Sequence, residues 1–238
     1  MLCRSKSQPL AYTVNEVIAM QQRITADTQT WAGTLKYDDT VVLTYKIEFP
    51  QFSSRIYAKA AQRMNTYYES SARSFLRYIK KTMYHQAVEQ YIYSKENGYP
   101  VMVFEAEQVY TITLTANRYV SLYTDQYTYT GGAHGSTVRS SETWGLPLGR
   151  QIPLGALFPR GFDYRTYNIN MIIREIQRQN AAGDSVYFDD YPENVRNTFQ
   201  ENQFYLTPQG IVVYFQQYDI APYSTGIPEF LIPYSRKL

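Results

Sequence analysis

From Val41 to Phe49 successive residues alternate between an apolar face and a mostly polar one. Val41, Leu43, Tyr45, Ile47 and Phe49 fall on one face, and Val42, Thr44, Lys46 and Glu48 on the other. A period of two predicts a half-buried strand, and Pro50 supplies its stop. The period then changes. Between Ser54 and Tyr93, Ile56, Ala60, Met64, Tyr68, Ala72, Phe75, Ile79, Met83 and Ala87 recur every three or four residues. That spacing predicts one long amphipathic helix or two in series. At about 1.5 Å per residue it runs on the order of 55 Å, against roughly 45 Å for the diameter of a compact domain of this size. Such a helix is expected to bend, break or overhang before Asn97-Gly98-Tyr99-Pro100 ends it.

Period two returns at Met102, Phe104, Ala106, Tyr110, Ile112 and Leu114, opposed by Glu105, Glu107, Thr111 and Thr113. Ala116-Asn117-Arg118 reads as a hairpin turn into a strand from Tyr119 to Thr130. A glycine loop then leads into Ser136 to Trp144, completing an antiparallel meander. Farther on, Leu146 to Arg150 is a turn, and Ile152 to Phe158 a short apolar segment stopped by Pro159. Ile169, Ile172, Ile173 and Ile176 stripe a helix that Asp163 can cap and Gly183 can close. Pro192 suits the first turn of another helix. Strands are expected at Phe204 to Leu206, Ile211 to Tyr218 and Phe230 to Tyr234, the first two joined by the turn Thr207-Pro208-Gln209-Gly210.

These elements predict an α+β fold: antiparallel sheets, a long amphipathic helix packed on the N-terminal sheet, and shorter helices in the C-terminal half. Residues 1–32 read as a polar leader or tether with a short helix around Val14 to Ile24. Residues 33–135 form an N-terminal α+β subdomain, and residues 136–238 a C-terminal α+β subdomain packed against it.

Composition narrows the chemistry. With 238 residues, 44% of them hydrophobic, the chain can bury a substantial core. Its 23 Lys and Arg are scattered and the formal net charge is only +2, so there is no electrostatic footprint for nucleic acid. The single cysteine, Cys3, can form neither an internal disulfide nor half of a CxxC metal pair. No apolar run is long enough to span a bilayer, and Met1 to Pro9 lacks the apolar core of an export signal. The 25 tyrosines are the compositional outlier; they suit half-buried sheet faces and recognition surfaces alike.

The stretch Tyr127-Thr128-Tyr129-Thr130-Gly131-Gly132-Ala133-His134-Gly135 concentrates glycine, tyrosine and one of only two histidines. A phosphate-cradle reading fails, because no Lys precedes Ser136 and the following residues alternate like a strand instead of opening a helix. No GxSxG or HExxH pattern supplies a catalytic set or a metal site, and no cofactor is expected. The bland reading makes Gly131, Gly132 and Gly135 a structural turn that His134 locks by bonding backbone. A recognition role for Tyr127, Tyr129 and His134 stays open beside it. The loop Tyr218 to Gly226 is the second candidate: Pro222 restrains it, and Tyr218 and Tyr223 are rigid contact residues.

Taken in order, Tyr127 to Gly135, Leu146 to Phe158, Phe204-Tyr205-Leu206-Thr207, Tyr218 to Gly226 and Ile232-Pro233-Tyr234 resemble a known family. It is the extracytoplasmic domain of RsiV-type anti-sigma factors, also found as the non-catalytic N-terminal region of PdaC-type peptidoglycan deacetylases. The resemblance covers roughly residues 33 to 235. It implies a non-enzymatic sensor or binding domain at the cell envelope, outside the cytoplasm, with a lysozyme-like protein or a peptidoglycan fragment as partner. The chain departs from the family pattern in having no transmembrane helix, no sigma-binding segment and no deacetylase domain. Two other readings compete: an enzyme acting on wall polymer through His134, which requires an acidic or nucleophilic partner within hydrogen-bond reach, and a structural spacer.

Overall fold

The computed structural model describes residues 24–116, 118–183 and 186–234. Two long strands open it, β1 (Thr25–Tyr37) and β2 (Thr40–Ser53), paired antiparallel along almost their whole length. The tether expected through residue 32 therefore ends earlier, because Thr25 to Ala32 are zipped to Lys46 to Ser53. The short helix expected at Val14 to Ile24 lies, Ile24 apart, outside the described residues.

Nor does Pro50 stop β2. It pairs with Thr28 within the ladder, beyond the Leu43 to Ile47 stretch over which β2 also pairs with β3 (Phe104–Ala116). A proline costs no ladder bond where its strand has no second neighbour. Two residues on, the Asn65 side chain occupies that free edge. Its Oδ1 accepts from the Phe52 N–H at 2.6 Å, and its Nδ2 donates to the Phe52 carbonyl at 2.9 Å.

The long helix is real and changes character in the middle: α1 (Ala58–Tyr78), a π segment (Ile79–Met83), and α2 (Tyr84–Asn97), closed by Gly98 in the left-handed region. From Phe75 the buried residues step by four, through Ile79, Met83, Ala87 and Tyr91. In a regular helix each such step drifts about 40° off the face. The wider π turn takes up that drift and keeps the stripe on the sheet. Met64, Ala72, Ile79, Met83 and Ala87 are fully buried against Val42, Leu43, Ile47 and Leu122, each larger side chain contributing about 1.5–3 kcal/mol by leaving water.

Helix α1–α2 is the crossover between β2 and β3, which run parallel. β4 (Tyr119–Tyr129) and β5 (Ser136–Gly145) complete the expected antiparallel meander, and the two-residue β6 (Arg150–Gln151) ends a six-stranded sheet in sequential order. The division expected at residues 135 and 136 thus falls between β4 and β5, which pair from Thr128 with Ser136 to Tyr119 with Gly145. The hydrogen-bonded ladder, not the glycine loop, sets the extent of the first sheet.

The C-terminal part is a second layer pair. α3 (Tyr164–Ala182) is capped by Asp163, whose carboxylate accepts from the Thr166 N–H at 3.1 Å, and ends at Gly183. It joins α4 (Tyr191–Thr198) on a three-stranded antiparallel sheet of β7 (Phe204–Leu206), β8 (Gly210–Tyr214) and β9 (Glu229–Pro233). Phe204, Leu206, Ile211 and Val213 face the helices, while Tyr205, Val212 and Tyr214 face the other way, toward Tyr123 of the large sheet. Both faces are buried, so these strands read as near-continuous apolar runs.

Hydroxyls on the large sheet take the place of a strand neighbour for β7. Thr113 Oγ1 donates to the Leu206 carbonyl at 2.7 Å, Ser121 Oγ accepts from the Leu206 N–H at 2.8 Å, and Ser141 Oγ donates to the Phe204 carbonyl at 2.5 Å. The polar face of β3 to β5 is where the second sheet docks.

Candidate functional site

The glycine loop and the Tyr218 loop meet. Two glutamines bring them together. β8 ends at Tyr214 instead of running to Tyr218, because the next residues turn their amides to the open edge of β5. Gln216 Oε1 accepts from the Arg139 N–H at 3.0 Å and its Nε2 donates to the Arg139 carbonyl at 2.8 Å. Gln217 Oε1 accepts from the Thr137 N–H at 2.8 Å. The chain leaving β8 is thereby held beside the first residues of β5, immediately after the glycine loop.

Tyr218 then adopts φ +68°, a left-handed conformation that costs a non-glycine residue on the order of 1–2 kcal/mol. Asp219 fixes the bend by accepting from the Gln216 N–H at 2.8 Å, and burial holds its carboxyl above the usual pKa. Pro222 leads into a short 3₁₀ turn, Tyr223–Thr225, which Gly226 closes at φ +74°.

On the facing loop, Gly131 and Gly132 sit at φ +93° and +96°. Tyr129 donates its hydroxyl proton to the Gly132 carbonyl at 3.0 Å. Gly135 serves a different end: the Tyr127 ring lies 2.3 Å from where a Cβ would stand, so any side chain there displaces the ring. His134 is exposed and stacks on Tyr223, with centroids 3.7 Å apart and planes 16° from parallel. Tyr218 leans on Tyr223 at 6.0 Å. His134 Nδ1 lies 2.9 Å from the Gly135 carbonyl, which can only accept, so the proton is assigned to Nδ1. Nε2 is then the acceptor for the Tyr218 hydroxyl at 3.4 Å.

Tyr127, Tyr129, His134, Tyr218, Pro222 and Tyr223 therefore belong to one surface, although the two loops lie some eighty residues apart in sequence. Tyr127 has its pKa raised, first by burial and then by Glu105, with Tyr223 a further contributor. The chemistry the cluster presents is that of ring faces and hydroxyls. The hydrogen bonds of the His134 ring go to a backbone carbonyl and a tyrosine, and among the described residues no three His, Cys, Asp or Glu side chains gather as metal ligands.

The ion cluster that ties the two sheets together lies outside both sequence motifs. Arg139, in β5, chelates Asp125 of β4 through Nε and Nη2, each at 2.7 Å, and reaches Glu229 of β9 through Nη1. Its guanidinium lies over the Tyr123 ring, 3.7 Å from the centroid. Lys and Arg are spread evenly along the chain, so nothing in the sequence distinguishes this arginine. The Gln216-Gln217 pair at a strand end is the one legible signal, and it has no special meaning until the open β5 edge is known.

The glycine positions permit a direct comparison. Nothing lies within 4 Å of a Cβ added at Gly131 or Gly132, so the cost of a side chain there is conformational, not steric. Gly131→Val or Gly132→Val is expected to destabilise by about 1–2 kcal/mol. His134→Ala should stay within about 1 kcal/mol of the parent, because it removes one exposed ring. Thermal melts of the three variants giving the opposite order would refute the turn geometry.

Residues 37–137 match the family described as deacetylase PdaC, and residues 156–235 match a family described as a protein of unknown function, DUF3298. A crystal structure of a DUF3298-family member from Bacteroides fragilis superposes with a TM-score of 0.65 at 19% identity, covering 89% of this chain and 90% of that one. A DUF3298-family protein from Pseudomonas aeruginosa gives 0.56 at 15% identity over the same shares. At such identities the likeness is one of fold. No curated protein matches the chain. The two matched segments, a PdaC-type region at residues 37–137 and a DUF3298 region at residues 156–235, follow one another along a single α+β fold that the chain shares with solved DUF3298-family proteins.

Proposed function

We propose that the chain is a non-enzymatic recognition module of the cell envelope, acting outside the cytoplasm, whose contact surface is the pair of loops around His134 and Tyr223. The observation that carries this reading is the convergence itself. Two remote loops, one with a tyrosine in a strained backbone conformation, meet to hold stacked rings at the surface. Strain of this kind persists where a fold over-determines a functional geometry, and rigid tyrosines contribute contact area at low entropic cost.

A protein partner of the lysozyme type fits best. Glu105 and Glu107 stand exposed beside Tyr129 and Tyr127 on the neighbouring strand, where they suit a cationic surface. The wall-enzyme reading finds less to build on, since His134 has no carboxylate among its hydrogen-bond partners here.

Calorimetric titration with lysozyme, and separately with peptidoglycan fragments, tests the proposal. Lysozyme should bind, and Tyr223→Ala should weaken it by roughly thirtyfold, the loss expected of a central aromatic anchor. Binding of fragments alone would move the partner to a glycan of the wall. Silence with both would sink the module reading, and wall hydrolysis abolished by His134→Ala would replace it with an enzyme.

A further inference from the structure

Far from the aromatic loops, the turn between β5 and β6 presents Leu148 to solvent at 69% exposure, and the residue two before α1, Ile56, stands beside it at 64%. Among the described residues these are the most exposed large apolar side chains. Both line one open groove of about 460 Å³. The turn that carries Leu148 is tightly held. Gly149, at φ +57°, presses so close to the helix that a Cβ would lie 2.9 Å from the Ala60 Cα, and its N–H donates to the Gly145 carbonyl at 2.8 Å. Arg63 clamps the Leu148 carbonyl through Nη1 at 2.7 Å. The fold thus fixes a turn whose leucine contributes nothing to the core.

The surroundings are cationic. Lys59, Arg63 and Arg150 line the groove and no carboxylate does; Arg55 adjoins it, and α1 has no acidic residue in its first turn. Among the described residues none of these four cations forms an ion pair. The adjoining groove is lined by one acidic side chain, Glu69, and it pairs with Arg73.

We infer that this end of the molecule docks on an anionic lipid surface, with Ile56 and Leu148 entering the headgroup boundary and Arg55, Lys59, Arg63 and Arg150 meeting lipid phosphates. Charge complementarity alone would suit any polyanion; two exposed aliphatic side chains gain only where an apolar phase receives them. The geometry is also consistent with a recognition module. β5 starts after the glycine loop and ends at the Leu148 turn, so the two surfaces lie on the order of 30 Å apart at opposite ends of one strand. Docking one end directs the aromatic loops away from the surface.

Co-sedimentation with vesicles tests this independently of any lysozyme or glycan result. Vesicles of phosphatidylglycerol mixed with phosphatidylcholine should carry the protein down at low salt and release it at high salt, while phosphatidylcholine alone should not. Lys59→Gln with Arg150→Gln should cut partitioning about 25-fold, at about fivefold for each cation near the surface. Ile56→Ser with Leu148→Ser should cut it roughly tenfold or more. All four side chains are exposed, so unchanged circular dichroism and melting will verify the fold. No sedimentation with anionic vesicles, or equal sedimentation with neutral ones, overturns the inference. So does an Ile56→Ser, Leu148→Ser protein that still binds fully, which would assign the cations to a soluble polyanion.

Discussion

Arg139→Met is expected to lower the free energy of unfolding by about 3–5 kcal/mol, and the melting temperature by on the order of 10 °C. The guanidinium side chain is only 9% exposed, and burial pushes its pKa down. The bidentate pair with Asp125 outweighs that penalty, so its pKa stands above the ordinary arginine value. Removing the cation leaves Asp125, itself only 19% exposed, without its partner, and strips Tyr123 of the group stacked on it. Since Asp125 and Arg139 belong to the large sheet and Glu229 to the small one, the loss also loosens the junction of the two sheets. Arg73→Met is the control. Its pair with Glu69 lies 61% and 43% exposed, and such bridges contribute under about 1 kcal/mol. Urea unfolding of both variants decides the matter: equal losses would mean that the Arg139 cluster is hydrated and structurally idle.

That cluster also marks the limit of what the chain discloses as a sequence. The helix from Ala58 was legible because its apolar stripe has one period and one face to cover. So was the meander of β3, β4 and β5, where period two persists over ten residues or more. β1 was not, since Thr25 to Tyr37 is an edge strand without a strongly apolar face; its place comes from pairing with β2, a property of two segments at once. Thr113, Ser121 and Ser141 were visible as polar positions, but polarity has two causes. Here it serves the backbone of β7 instead of water. Each candidate loop was likewise recognisable by its own glycines, proline and tyrosines. Their meeting was not, because it depends on Gln216 and Gln217 binding an open strand edge some eighty residues away.

Alkali should unfold this protein cooperatively, beginning above about pH 10, through its buried tyrosines. Tyr68, Tyr205 and Tyr214 all have pKa values raised above the ordinary 10, in each case chiefly by burial; the negative charge of Glu142 adds to the rise at Tyr68, and that of Glu229 at Tyr205. Tyr214, 1% exposed, is pushed up to about 12. A group whose pKa is higher folded than unfolded stabilises the fold fully below the unfolded value and loses that contribution as pH rises through the folded one. For Tyr214 the window runs from about 10 to about 12, and its closure costs about 2–3 kcal/mol. The other two act in the same direction, and Tyr205 and Tyr214 share the junction with Tyr123 that Arg139 supports. Denaturant melts at rising pH, followed beside tyrosinate absorbance, should show ionisation of these residues arriving with unfolding and not before it. Tyr214→Phe gives up the hydrogen bond to Ser141 Oγ at 3.1 Å and so costs about 1 kcal/mol at neutral pH. It should flatten the loss of stability above pH 10 in return. If all the tyrosines titrated near pH 10 in a protein that stayed folded, the aromatic side chains between the two sheets would have to be open to water.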